Sequence, residues 1–253
     1  MNLTEVPQPV IPPSNATVLN LGHNIITNLP SLTFVGYPDL DILTVVFNSI
    51  QYIDSSAFNG TRLRVLKAWN NRLTEIPDFS TIENFIEIID LHKNKIDSMA
   101  VDFSRLKQLK KLHLGSNQIQ IVSLATLLPH KHLSQLILRN NRISSVTNPG
   151  VFSARTIAIS LTQNDLNCDC RLAWTTAGNC GNMTVEGECS TPLHLSGTQL
   201  ANVDFTQICS DTVEFVIPLL SKKHCSFIAG GLFETFDVCF HASAWNRSKG
   251  ASK

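Results

Sequence analysis

Apolar residues return in a fixed frame along most of this chain. The frame reads L-x-x-L-x-L-x-x-N-x-I-x-x-I and is clearest at 109–122 (LKKLHLGSNQIQIV) and 133–146 (LSQLILRNNRISSV). Its fourth position is held by Leu19, Leu43, Leu66, Ile89, Leu112, Leu136 and Ile159, and its sixth by Leu21, Val45, Ala68, Leu91, Leu114, Leu138 and Leu161. Alternation around these two positions predicts a short strand buried on one face. The eleventh position (Ile26, Ile50, Leu73, Ile96, Ile119, Ile143, Leu166) supplies a second apolar column. The intervening stretches, such as 54–60 and 98–107, are too short for long helices, so turns, 3₁₀ pieces and extended backbone are expected there. Phe58, Phe79, Phe103 and Phe152 are the expected inward anchors of those stretches.

An asparagine closes each frame: Asn24, Asn48, Asn71, Asn94, Asn117, Asn141 and Asn164, at gaps of 24, 23, 23, 23, 24 and 23 residues. A period in this range means a stacked solenoid, in which each repeat buries its apolar face only against the next. Where each strand turns inward, peptide groups lose their sheet partners. A carboxamide carries donors and an acceptor, so stacked asparagines are expected to form a structural ladder that satisfies them.

Charge adds little. Twenty basic and twenty acidic residues cancel, which removes any global attraction to nucleic acid or an anionic membrane. Cysteine placement says more: none precedes Cys168, and then come Cys168, Cys170, Cys180, Cys189, Cys209, Cys225 and Cys239. Such clustering predicts a covalently stapled end and an oxidising compartment. Zinc is the rival, but no second close cysteine pair or nearby histidine pair completes Cys168-Asp-Cys170, so no metal is expected. The odd count leaves a thiol free or paired with another chain, and Cys180 has no assigned partner. Sequons at Asn2, Asn15, Asn59, Asn182 and Asn246 are glycosylation candidates that agree with export. The start shows no secretory signal. A truncated gene model, a processed fragment and a cytosolic chain all remain open, with truncation favoured. No run approaches the length of a membrane span.

These residues resemble the extracellular leucine-rich repeat family over about residues 16–166. The resemblance implies an α/β solenoid: a right-handed horseshoe with a concave parallel sheet and an irregular, 3₁₀-rich convex side. Residues 167–210 resemble the family's cysteine-rich C-terminal cap through Cys168-Asp-Cys170-Arg-Leu-Ala-Trp174, Cys189-Ser-Thr-Pro192, Leu195-Ser-Gly197 and Cys209. By family pattern Cys168 pairs with Cys189 and Cys170 with Cys209. The family's usual Pro-Trp before the first cysteine is replaced by Leu166-Asn167. Residues 1–15 resemble the tail of the N-terminal cap without its cysteines, which leaves the layer of Leu19 and Leu21 expected to be poorly covered. Beyond Cys209 the resemblance ends. Residues 211–253 are a tail of unassigned structure in which Cys225 and Cys239 offer one further pairing.

Counting from the asparagines identifies the outward side chains of the strands. A candidate binding face follows: Phe47, Lys67, Trp69, Asn70, Asp90, His92, Lys111, His113, Ile137 and Arg139, with Thr44 and Val46 also outward. Phe47 and Trp69 stand out, because large aromatics facing solvent beside charges are interface hot-spot material. His92 and His113 fall on adjacent strands, and His130 and His132 share a loop, but neither pair has a third ligand or a nucleophile. No glycine-rich loop follows a strand. The chain therefore reads as a binding module, neither an enzyme nor a cofactor carrier. Its expected role is the ligand-binding region of an extracellular receptor-like or adhesion protein. The alternative is a secreted matrix protein that binds collagen or glycans and resembles the small leucine-rich proteoglycans. The partners in view are an extracellular protein, a glycan or a second copy of the chain.

Overall fold

A computed structural model describes residues 2–9, 13–99, 101–127, 131–147, 156–175 and 183–210. All of them lie in one compact unit, residues 1–210. The strands in chain order are β1 (Val18–Asn20), β2 (Asn28–Leu29), β3 (Ile42–Thr44), β4 (Tyr52–Ile53), β5 (Val65–Lys67) and β6 (Ile88–Asp90). They continue with β7 (Lys111–His113), β8 (Ile121–Ser123), β9 (Gln135–Ile137), β10 (Ser145–Thr147), β11 (Ile157–Ser160) and β12 (Met183–Glu186).

An eight-stranded parallel sheet, ordered β1-β3-β5-β6-β7-β9-β11-β12, forms the concave face of a right-handed solenoid. Its register places Leu19, Leu43, Leu66, Ile89, Leu112, Leu136 and Ile159 directly beside one another, so the fourth positions form one unbroken apolar column. The convex side carries two small parallel pairs, β2 with β4 and β8 with β10, plus short 3₁₀ turns such as Ser80–Ile82 and Phe103–Arg105. Phe34, Phe58, Phe79 and Phe103 are fully buried beneath it. Phe34 stacks on Phe58 at 5.8 Å and Phe58 on Phe79 at 6.4 Å, which makes a spine of rings parallel to the sheet. Phe34 belongs to this spine although it falls outside the residues expected from sequence, and Phe152 lies outside the described residues.

Every asparagine of the series sits at the same turn. Asn117 is typical: its Nδ2 donates to Leu91 O (3.1 Å) and Leu114 O (2.9 Å), and its Oδ1 accepts from Ile96 N (3.0 Å). One carboxamide thus links its own turn to the preceding repeat. Asn48, Asn71, Asn94, Asn141 and Asn164 repeat the pattern. Asn24, with no earlier repeat before it, accepts instead from Leu3 N at 3.0 Å, while Leu3 O accepts from Ile25 N. Residues 2–9 therefore occupy the place of half a repeat. Tyr37 Oη holds Pro7 O, and Val6 is buried. This corrects the expectation for the front end: Leu21 is only 3% exposed, and the thinner cover is confined to Leu19, which is half-buried.

The residue before each asparagine (His23, Phe47, Asn70, Lys93, Ser116, Asn140, Gln163) has φ between 52° and 58°. A left-handed step here turns the chain out of the strand, and a non-glycine residue pays roughly 1–2 kcal/mol for it. Cross-repeat hydrogen bonds hold the step in place, such as Phe47 N to Trp69 O (3.2 Å) and Asn70 N to His92 O (3.0 Å).

At the far end β12 extends the sheet, contributed by the cap rather than by a repeat. Disulfides join Cys168 to Cys189 and Cys170 to Cys209, with Cα separations of 5.6 and 5.5 Å. A 3₁₀ segment, Cys170–Thr175, lays Leu172 and Trp174 over the core, and the short helix α1 (Phe205–Ser210) packs against that segment. Gly187 lets the cap approach, since a Cβ there would meet Leu200 at 3.0 Å and Leu166 at 3.1 Å. Where the family usually has Trp, Asn167 accepts from Thr191 Oγ1 at 3.0 Å and donates to Asp169 at 2.9 Å. The polar side chain ties the cap down by hydrogen bonds in place of ring packing. Cys180, Cys225 and Cys239 lie outside the described residues.

Candidate functional site

Parallel strands about 4.8 Å apart place equivalent outward side chains at ring-stacking distance. Just past the strand ends on the concave side this produces an aromatic column, which steps from the residue before the asparagine (His23, Phe47) to the one before that (Trp69, His92). His23 stacks on Phe47 (centroids 4.4 Å), Phe47 meets Trp69 nearly perpendicular (4.3 Å, 70°), and Trp69 stacks on His92 (4.9 Å). Phe47 remains 37% exposed while Trp69 and His92 are half-buried, so the column is supported from within and open to solvent. Aromatic pairs of this kind contribute about 0.5–1.5 kcal/mol beyond area burial.

His92 leads to the second feature. Its Nδ1 lies 2.6 Å from Asp90 Oδ1, and the other carboxylate oxygen is 3.9 Å from His113 Nδ1 on the next strand. The first separation is a hydrogen bond; the second is ion-pair contact. His113 Nε2 meets Gln135 Oε1 at 3.2 Å. Burial pushes the Asp90 carboxyl up, but contacts from His113 and His92 outweigh it and hold the group below the usual carboxylate range. Contact with Asp90 raises the His113 imidazole above its ordinary value, against burial and the nearby Lys111. Asp90 is thus the shared partner of the two histidines, a role that adjacency in sequence did not reveal. Among the described residues no group of three or more His, Cys, Asp or Glu is placed to hold a metal ion.

Lys67, Lys111 and Arg139 are exposed, and Asn70 and Ile137 are half-buried beside them. Val46 corrects its expectation: it is only 7% exposed, because it fills the space above Gly22, where a Cβ would come within 3.1 Å of Val46 Cγ2. Sequence reasoning missed His23, which the same count from Asn24 would have found. It also missed the third position of the first four repeats, where Val18 is 57% exposed and Ile42, Val65 and Ile88 are half-buried in an apolar row that leads to Lys111. Along one rim runs a self-paired charge row. Arg64 binds Asp41 at 2.5 Å and approaches Glu87 at 3.7 Å, and Lys110 binds Glu87 at 2.8 Å.

Elsewhere, a cavity of about 320 Å³ on the convex side is lined by Ile76, Phe79, Val101, Leu106 and acidic neighbours. Its charges are already engaged: Asp78 and Asp102 accept from Ser80 N and Ser104 N, and Glu83 pairs with Arg105 at 2.7 Å. Asn2, Asn15 and Asn59 are exposed, whereas Asn182 and Asn246 lie outside the described residues.

Comparison with known proteins agrees with this architecture. The profile of the family described as Leucine rich repeat matches residues 61–119 and 84–143. The chain is 34% identical over 96 residues to human leucine-rich repeats and immunoglobulin-like domains protein 2, covering 37% of this chain and 9% of that protein. It is 28% identical over 192 residues to Toll-like receptor 6 of Bos taurus, covering 72% of this chain and 24% of that protein. A chain of the solved Drosophila Toll–Spatzle complex superposes with a TM-score of 0.66 at 22% identity, covering 77% of this chain and 29% of that one. The chain therefore spans a quarter or less of the two curated relatives.

Proposed function

The chain is a leucine-rich repeat solenoid closed by a disulfide-stapled C-terminal cap, and from that premise we propose that it is an extracellular protein-recognition module. In this reading it forms the ligand-binding part of a receptor-like or adhesion protein, with the repeats at 16–166, the cap at 167–210 and contact through the concave sheet. The aromatic column His23–Phe47–Trp69–His92 carries the reading. Exposed aromatics on a rigid sheet lose little conformational entropy on contact and dominate interface energies.

Likeness to Toll-like receptor 6 over most of the chain supports a receptor setting. The Toll fold, solved together with Spatzle, supports a protein ligand. The two disulfides support an oxidising compartment. Among the described residues no helix is long and apolar enough to cross a membrane.

The test is a binding array of extracellular proteins, collagens and glycans probed with wild type and Trp69→Ala. We expect a protein partner whose affinity falls by about tenfold or more in the variant, with the unfolding temperature lowered only by the several degrees that the loss of two ring contacts accounts for. A large drop in that temperature would place Trp69 in the core and remove the basis of the reading. Capture by collagen or glycan alone would favour the matrix role instead.

A further inference from the structure

Charge on the concave face is unbalanced in a way that the neutral chain conceals. Counting outward positions over the seven repeat strands, the cations are Lys67, Lys93, Lys111 and Arg139 and the single carboxylate is Asp90, while the cap strand β12 adds one exposed carboxylate, Glu186, at the far end of the sheet. Asp90 is already engaged by His92 and His113. All four cations are exposed, and among the described residues none of them makes an ion pair. The rim row shows the contrast, because Arg64 and Lys110 there are matched by Asp41 and Glu87 from this same chain. No carboxylate among the described residues neutralises these four cations, which face solvent.

The surroundings select the kind of anion. Lys67 closes β5, Lys93 lies in the turn after β6, Lys111 opens β7 and Arg139 lies in the turn after β9, so successive cations are offset along the strands as well as by one strand step and stand roughly 10–17 Å apart. Nucleic acid duplexes carry roughly one charge per 1.7 Å. Such a dense polyanion would leave most of its charge unmatched and would bury the apolar row Val65 and Ile88 under groups that gain nothing from it. A sugar needs a free ring face to stack on, but two of the three ring contacts are face to face within the column. Ring edges carry the positive end of the aromatic quadrupole and favour acceptors.

We propose that the concave face over β5, β6, β7 and β9 takes an acidic polypeptide segment that also carries aromatic or aliphatic side chains. Its carboxylates meet the four cations while its apolar groups lie on Trp69 and the adjoining row. The segment crosses four strands, about 14 Å, and its carboxylates spread roughly 16 Å along them, so it is longer than the four to five residues of a single extended crossing. This inference rests on the concave face being the recognition surface and names the chemistry of its partner.

The experiment measures binding of the whole chain to immobilised poly(Glu,Tyr), poly(Glu), poly(Lys,Tyr) and heparin at low and physiological salt. The expected result has poly(Glu,Tyr) binding more tightly than poly(Glu) or heparin, and more weakly as salt rises. Lys67→Glu with Lys111→Glu should weaken it at least tenfold, and the milder Lys111→Gln and Trp69→Ala severalfold, the lysine variants with unchanged unfolding temperatures and Trp69→Ala with one lowered by several degrees. If the double variant is unfolded, the two milder variants decide. Heparin binding more tightly than poly(Glu,Tyr), or poly(Glu,Tyr) binding indifferent to these substitutions, overturns the proposal. Should heparin or poly(Lys,Tyr) bind instead and depend on Trp69, the concave recognition surface stands and only its acidic partner is wrong. If no probe depends on Trp69, both readings fall.

Discussion

Asp90 joins two histidines that belong to different repeats, and this coupling gives the concave face a pH dependence of definite sign. His113, raised in the fold, contributes stability that is complete below the ordinary imidazole value of about 6.5 and is lost as pH rises through its folded value. Asp90, depressed in the fold, contributes stability present above about pH 4 and lost as pH falls through its lowered value. The pair is therefore strongest between about pH 4 and 6.5. Thermal unfolding of wild type and Asp90→Asn across this range and up to about pH 9 is the measurement. We expect the variant's deficit to be greatest near pH 5–6 and to shrink on the alkaline side as His113 loses its proton; a deficit flat with pH would show that His113 does not feel Asp90. Sequence placed both histidines on neighbouring strands by register alone. It could not show the carboxylate between them, because that depends on which rotamer bridges 4.8 Å of strand spacing. Val46 illustrates the same limit: counting made it outward, and the missing side chain of Gly22 let it sink.

The turn after each strand is the element that the period made most legible. Each asparagine satisfies one amide and two carbonyls that the departing strand leaves behind, so its identity follows from what the backbone lacks. Replacing Asn117 with Leu strips Ile96 N, Leu91 O and Leu114 O of a shared partner at a buried position. At about 1–3 kcal/mol for an unsatisfied buried group, partly relieved by water, the loss should total a few kcal/mol in denaturant unfolding. A change below about 0.5 kcal/mol would mean that the ladder is replaceable by solvent. The left-handed residue that precedes each asparagine had no such signature. Its occupants run from Asn70 to Phe47 and Lys93, because cross-repeat hydrogen bonds impose the conformation and side-chain preference does not. The convex segments were legible as irregular with Phe58, Phe79 and Phe103 as inward anchors, whereas Phe34 and the stacking of Phe34 on Phe58 and Phe58 on Phe79 were not, since they are fixed between repeats rather than by any local period.

At the scale of the molecule, the described unit is a one-dimensional stack whose ends differ. At one end residues 2–9 make with the first turn the hydrogen bonds that one repeat makes with the next. The other is finished by β12, Leu172 and Trp174, held by two disulfides. Sequence reading fixed the staples through the family pattern but gave no hint that the cap would add a strand to the sheet, because Met183–Glu186 lacks the repeat frame. In such a stack stability is close to a sum of repeat and neighbour terms, so damage at one end should stay local. Removing the Cys170–Cys209 link with paired serine substitutions frees a loop of 39 residues, a loss of about 4 kcal/mol in the chain-entropy account. Hydrogen exchange should then show β11 and β12 losing protection while β5, β6 and β7 keep theirs, since their register and their asparagine bonds do not involve the cap. Equal loss of protection along the whole sheet would mean that the array unfolds as one cooperative body, with the cap acting on the concave face as well as on the end it covers.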